Sequence, residues 1–152
     1  MLSIKKIELE DVDQVYDQIY QLAMFDGEMS PDFVLTKQKL IDDLFGDRAD
    51  WHGLVVKNQQ KVVASCLYCF ANTNRTFNPT SNLFLDILFI DADYRNQGIG
   101  KMLMSELKKI AQSHNIKRIE FWCMKSHVAS NQFYEKLGAE KVDLLNVYNF
   151  VV

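Results

Sequence analysis

The stretch Asp91-Ala92-Asp93-Tyr94-Arg95-Asn96-Gln97-Gly98-Ile99-Gly100-Lys101-Met102-Leu103-Met104-Ser105-Glu106-Leu107 decides how the rest of the chain is read. The apolar run Leu83 to Ile90 enters it, Gly98 and Gly100 make a turn, and a helix is predicted to follow at once. Ile99, Leu103, Leu107 and Ile110 recur at spacings of 4, 4 and 3 residues, which gives that helix one apolar face. The turn therefore stands at a helix N-terminus, where free backbone N–H groups and the positive end of the macrodipole attract an anion. Glycines there let a phosphate approach the chain closely. Two familiar phosphate binders are disfavoured, because the spacing is neither the G-x-G-x-x-G of a dinucleotide fold nor the G-x-x-x-x-G-K-[ST] of a P-loop.

Outward from this turn, the bulk properties place the chain among globular proteins. It has 152 residues, 48% hydrophobic and 24% charged, enough for one domain over residues 1–152 with a sizeable core. The N-terminal stretch Met1 to Glu8 lacks a long apolar region and the run Leu83 to Ile90 is interrupted by Asp86, so no signal peptide or membrane span is predicted and a cytoplasmic location is expected. Cys66 and Cys69 lie three apart in an apolar strand and point to opposite faces, so with Cys123 they read as reduced thiols rather than as a zinc site. His52, His114 and His127 show no metal-binding spacing, so no metal is expected.

Charge is divided unevenly. Residues 1–50 hold 12 Asp/Glu against 5 Lys/Arg, a net of −7, and residues 51–152 hold 8 against 12, a net of +4. The first part favours a cationic partner and the second an anionic one, or else the charges belong to solvated helix faces. The net charge of −3 argues against a nucleic-acid partner.

The remaining elements follow from periodicity. Ser3 to Glu10 reads as an opening strand, and Asp11, three residues before Gln14, has capping-box spacing for a helix starting near Val12 and ending by about residue 26. Thr36 is the expected N-cap of a second helix that Gly46 closes, and Asp26 to Asp32 forms an acidic loop between the two. Trp51 to Lys57 and Lys61 to Phe70 read as a hairpin about Asn58-Gln59-Gln60. Ile116 to Met124 is expected to be a central strand, His127 to Leu137 a helix ended by Gly138, and Leu144 to Val152 a final strand or two. The order β-α-α-β-β-β-α-β-α-β is that of an α+β sheet with helices on its faces.

Arg95-x-x-Gly98-x-Gly100, set between a strand and a helix, resembles the R/Q-x-x-G-x-G/A pattern of the GCN5-related N-acetyltransferases, and the element order is also that family's. The resemblance implies the GNAT fold, a mixed sheet of about six to seven strands flanked by four helices, and acetyl-CoA as cosubstrate. Its pyrophosphate is expected on the backbone N–H groups of Asn96, Gln97, Gly98, Ile99, Gly100 and Lys101, with Arg95 and Lys101 adding charge or lying solvated. Leu88, Phe89 and Ile90 on the preceding strand, and His127, Asn131 and Tyr134 on the later helix, complete the implied cofactor contacts. Leu88 and Phe89 are the two candidates for the backbone donor to the oxyanion.

Two side chains are expected to carry the chemistry. Asp86 is the one ionisable residue in Leu83 to Ile90, and an unpaired carboxylate there is costly enough to raise its pKa or demand a partner. In diamine (spermidine/spermine) N-acetyltransferases, which this chain is similar to, the matching position removes the proton of the amine through water. That subgroup has a second acidic residue where this chain has Ile87, so one contact to a polycation is missing. Tyr134, in Phe133-Tyr134-Glu135-Lys136-Leu137-Gly138-Ala139, resembles the family's general acid for the departing sulfur, on a helix whose Ala129, Phe133 and Leu137 are expected to face the core. His127 and Ser130 replace the family's usual Asn and Ala.

Leu22 to Phe25, Leu35-Thr36, Phe45-Gly46 and Trp51 to Val55 resemble the diamine subgroup, which implies a polyamine-like small-molecule acceptor, a role for Glu28 and Asp26 in binding it, and a homodimer. The apolar run Tyr148 to Val152 is a candidate pairing edge for that dimer. Acceptors such as an amino acid or a lysine-like or thialysine-like amine, and a non-catalytic acyl-CoA-binding module, are the alternatives.

Overall fold

The computed structural model describes residues 1–25, 33–73, 76 and 81–152. Met1–Trp122 and Cys123–Val152 form two compact units.

In the first unit, β1 (Leu2–Lys6), β2 (Trp51–Asn58), β3 (Lys61–Ala71), β4 (Asn82–Ile90) and β5 (Ile119–Phe121) form one sheet in chain order. The first three junctions are antiparallel and β4–β5 is parallel, so the sheet is mixed. The parallel crossover is made by α3 (Ile99–Ser113). Five strands replace the six to seven predicted, because the strand or two expected in Leu144 to Val152 does not form. The expected central strand Ile116 to Met124 is present but shrinks to three residues at the sheet's edge, and Ile116 instead closes α3 through its N–H to Ala111 O at 2.8 Å.

The first 25 residues correct one local expectation. A 3-10 turn at Leu9–Asp11 precedes α1 (Val12–Phe25), and the capping box joins Glu8 to Asp11, with Glu8 N–H donating to Asp11 Oδ2 at 3.0 Å. Gln14 serves the hairpin instead: its Oε1 accepts from Val62 N–H at 2.9 Å and its Nε2 donates to Gln60 O at 3.1 Å. The helix start is fixed by Asp11, 1% exposed, which pairs with the buried Lys57 of β2, a lysine that also reaches Glu10 at 3.1 Å. The Asp11 carboxylate beside Lys57 holds that amine above its ordinary pKa.

α2 (Lys37–Phe45) starts where Thr36 Oγ1 accepts from Lys39 N–H at 3.1 Å, and Gly46 closes it, as its sequence predicts. α1 and α2 lay Val12, Val15, Ile19, Leu40 and Leu44 against Val55, Val62 and Leu67 of the sheet. Alternation along the strands sends Leu54, Val56 and Cys66 to the opposite face, the side on which Phe70 meets His114 at the end of α3, 4.8 Å between ring centroids. α3 buries Ile99, Leu103 and Leu107 along the stripe read from the sequence.

In the second unit, α4 (Val128–Lys136) is followed by Gly138 at φ +89°, the left-handed stop that glycine supplies. No residue of α4 is fully buried, while Phe133 and Leu137 of the expected apolar stripe are partly shielded. The strands expected in Leu144 to Val152 do not form: an apolar run becomes a strand only when a neighbour takes its N–H and C=O groups, and these residues are in no ladder. No helix of the described residues is long and apolar enough to cross a membrane.

Candidate active site

β4 is irregular at the point that matters. Leu67 faces Ile87 and Tyr68 faces Leu85, so Asp86 is an extra residue in the ladder, a β-bulge. The bulge resets the alternation. Leu85 shares the face of Tyr68 and Ile87 shares the face of Leu67, so Asp86 and Ile87 both lie on the α1–α2 side, along with Trp51. Ile87, where the diamine subgroup has an acid, packs against the apolar cluster there.

The bulge also ends the pairing on the other edge of β4. β5 bonds only to Leu83–Leu85, so among the described residues no strand covers that edge from Asp86 to Ile90. The phase of the ladder is fixed by Asp91 N–H donating to Val63 O at 2.9 Å, on the β3 side. Counting back in twos, Phe89 also turns its N–H to β3, whereas Leu88 and Ile90 present theirs to the uncovered edge. Of the two oxyanion candidates, Leu88 is the one whose donor is free of the β3 ladder.

Asp86 is exposed at the sheet surface, yet the apolar groups around it desolvate the carboxylate enough to raise its pKa above the ordinary 3.8, and the Trp51 indole N–H pulls it partly back. Cys69 is its neighbour: burial first, then the Asp86 charge and the Asp50 charge, push that thiol up. Phe84 and Trp122 add an aromatic edge on this side, 5.4 Å between ring centroids.

Beyond β4 the chain makes a 3-10 turn at Ala92–Tyr94 and reaches α3 through two left-handed residues, Asn96 at φ +60° and Gly98 at φ +81°. Such a backbone turns successive N–H groups toward one point, a nest for an anion. Gly98 is the N-cap, no side chain caps the helix, and nothing lies within 4 Å of where a Cβ on Gly98 would stand. A helix N-terminus without a side-chain cap is the kind of place where backbone N–H groups can receive an anion. Arg95 is not spread over it: its Nε donates to Ile90 O at 3.1 Å and ties the turn to the end of β4. Gln97 Nε2 donates to Asp93 O at 2.9 Å, and Lys101 lies exposed on the first turn of α3.

Asp86, Leu88 to Ile90 and Arg95 to Lys101 all belong to the first unit, whereas His127, Asn131 and Tyr134 belong to the second. In that unit His127 is the N-cap of α4. Asn131 Nδ2 donates to Met124 O at 2.9 Å and to His127 O at 2.8 Å, so it holds the start of its own helix and only its oxygen remains for a cosubstrate. Tyr134 is half-buried beside Phe133, 5.2 Å between ring centroids. Glu28 and Asp26 lie outside the described residues. Sequence reasoning missed that Trp51 shares a sheet face with Asp86, because the two are 35 positions apart in the chain and are brought to one face only by strand pairing. Among the described residues, no group of three His, Cys, Asp or Glu is placed to hold a metal ion.

The first unit thus sets a carboxylate beside an uncovered strand edge and leads from that strand, through a glycine turn, into a helix N-terminus. Residues 14–139 match the acetyltransferase (GNAT) family, and the chain belongs to it. Members of that family use acetyl-CoA as cosubstrate. The L-ornithine N5-acetyltransferase NATA1 of Arabidopsis thaliana is 25% identical over 111 residues, 73% of this chain and 49% of the relative, so the chain spans about half the relative's length. Similar solved structures include a possible acetyltransferase from Clostridium difficile 630 (TM-score 0.79, 22% identity, 100% of this chain and 98% of that one). An aminoglycoside acetyltransferase from an uncultured soil metagenomic sample, in complex with sisomicin, gives a TM-score of 0.76 at 16% identity over 99% of this chain and 97% of that one. At these identities the structures share the fold.

Proposed function

We propose that this protein moves an acetyl group from acetyl-CoA to a primary amine of a small diamine-like or polyamine-like molecule, by direct attack in a ternary complex. The observation that carries this reading is the bulge at Asp86, which sets a carboxylate of raised pKa next to the uncovered edge of β4.

Bound acetyl-CoA supplies the thioester, with its pyrophosphate on the N–H groups from Asn96 to Lys101 and its arm along Leu88 to Ile90. Asp86 takes a proton from the ammonium of the acceptor, through water. The freed nitrogen lone pair then forms the C–N bond while the C–S bond breaks, and the second proton that the nitrogen sheds to become an amide balances the one given to sulfur. Leu88 N–H holds the negative charge that develops on the carbonyl oxygen. Tyr134, carried over from the family's segment, gives its phenolic proton to the departing sulfur.

A second acceptor reading is an ornithine-like or lysine-like ω-amine. It is favoured by the similarity to an ornithine N5-acetyltransferase and by Ile87 in place of a second acid. Incubating the purified protein with acetyl-CoA and spermidine, spermine, putrescine, ornithine, lysine and thialysine, and following coenzyme A release with a thiol reagent, separates the two. Turnover confined to the polyamines supports the first reading; turnover confined to the amino acids replaces it with the second. Acetyl-CoA binding without turnover on any amine favours a non-catalytic module. The homodimer of the diamine subgroup is carried over as part of the proposal, and sedimentation at micromolar concentration tests it. A monomer would place the acceptor site within one chain.

A further inference from the structure

The turn that enters α3 is tied to the β2–β3 hairpin. Tyr94 is the last residue of the 3-10 turn after β4, and its hydroxyl oxygen accepts from Asn58 Nδ2 at 3.1 Å. Its ring faces Lys61, whose Nζ lies 5.4 Å from the ring centroid, and the same Nζ is 2.8 Å from Asp91 Oδ2. Asn58 and Lys61 are paired residues, one at each end of the hairpin turn. The backbone closes the circuit. Asp91 N–H donates to Val63 O at 2.9 Å, and Tyr94 N–H donates to Asp91 O at 2.9 Å. The hairpin is itself anchored, because Gln14 of α1 bonds to Gln60 O and Val62 N–H while Gln18 Nε2 donates to Val62 O at 2.9 Å.

We propose that Tyr94 is a positioning residue for acetyl-CoA: clamped between Asn58 and Lys61, it holds Arg95 to Gly98 in the shape whose N–H groups receive the pyrophosphate. This rests on the reading of that turn as the seat of the cosubstrate. Asn96 stands at φ +60°, a conformation unfavourable for a residue with a side chain, and such a conformation persists where both flanks fix it. On the α3 flank, buried Ile99 and Leu103 supply the anchor. On the β4 flank Arg95 is exposed, although its Nε reaches Ile90 O, and Tyr94 is the first partly buried side chain before Asn96. The ion pair of Lys61 with Asp91 adds little alone, since the lysine is open to solvent; the Tyr94 hydroxyl instead joins two half-buried side chains. A turn without that tie spends part of its time in shapes that do not bind, and the apparent Kd rises by the inverse of the competent fraction.

Tyr94→Phe keeps the ring beside Lys61 and removes the hydroxyl. The expected result is a KM for acetyl-CoA about fivefold higher with kcat and the KM for the amine unchanged, as when the competent fraction falls to about one fifth. Calorimetric titration with coenzyme A should show the same loss of affinity, whichever amine is the acceptor. Asn58→Ala should raise that KM by the same factor and the double variant no further, because the two substitutions remove one hydrogen bond between them. A merely structural tyrosine would lower Tm and the active fraction, and hence kcat, while leaving KM in place. That outcome overturns the proposal, and so do additive effects of the two variants. Gly98→Ala separates the two layers. If it leaves coenzyme A binding unchanged, the turn is not the seat of the pyrophosphate, and that reading fails and takes this inference with it. If it weakens binding while Tyr94→Phe and Asn58→Ala do not, the inference on Tyr94 alone fails.

Discussion

At the scale of single residues, Asp86 and Gly98 carry the sharpest expectations. Desolvation holds the Asp86 carboxyl above 3.8, so the active, ionised form is lost on acidification at a higher pH than an ordinary aspartate would show. Asp86→Asn should lower kcat/KM roughly 100-fold or more at pH 7 and abolish that acid limb, read from initial rates across pH. Gly98→Ala meets no neighbour, so its cost comes from φ +81° alone. About 1 kcal/mol of stability and a higher KM for acetyl-CoA are expected, measured by thermal melting and by kinetics. Cys66 makes a further check: burial pushes its thiol up to about 12, so a thiol reagent at pH 8 should modify it only after unfolding, as thiol counts in native and denatured protein would show. Asp86 was legible in the sequence as a lone charge in an apolar run. Trp51 on the same sheet face was not, because strand pairing leaves no mark on either segment's own periodicity.

At the scale of elements, the helices of the first unit were the most legible parts, since their signals are local. Thr36 and Gly46 bound α2 where their chemistry says they should, and Thr36→Ala is expected to cost about 1 kcal/mol in chemical denaturation with activity retained. The stripe of Ile99, Leu103 and Leu107 was equally plain. Local signals also misled: Asp11 and Gln14 have capping-box spacing, yet Asp11 is taken by Glu8 and Lys57 and Gln14 by the hairpin. Strands were harder. The short β5 and the unpaired Leu144 to Val152 differ from expectation because a strand's extent depends on its partner, and pairing is a property of two segments. The bulge in β4 is invisible for the same reason: it is a mismatch of register, with Leu85 and Ile87 facing consecutive residues of β3.

At the scale of the whole molecule, Asp11 and Lys57 tie the beginning of α1 to the middle of the sheet across 46 positions of chain, with both side chains shielded from solvent. Asp11→Ala takes away the buried partner and leaves the shielded lysine charge to the exposed Glu10. It should cost about 3 kcal/mol, roughly 10 °C in Tm for a chain of this size, by calorimetry. Asp11 plays no part in the proposed chemistry, so activity below the melting range should survive. The bulge has the opposite economy. A chain with Asp86 deleted would bring Ile87 into step with the rest of β4, and the strand would run flat and fully bonded from Asn82 to Ile90. Such a variant is expected to gain rigidity and lose turnover together, because the deletion closes the fault in the β3–β4 ladder and removes the proposed proton acceptor with it. At this one residue the regularity of the strand and the chemistry proposed for it therefore make opposite demands on the backbone.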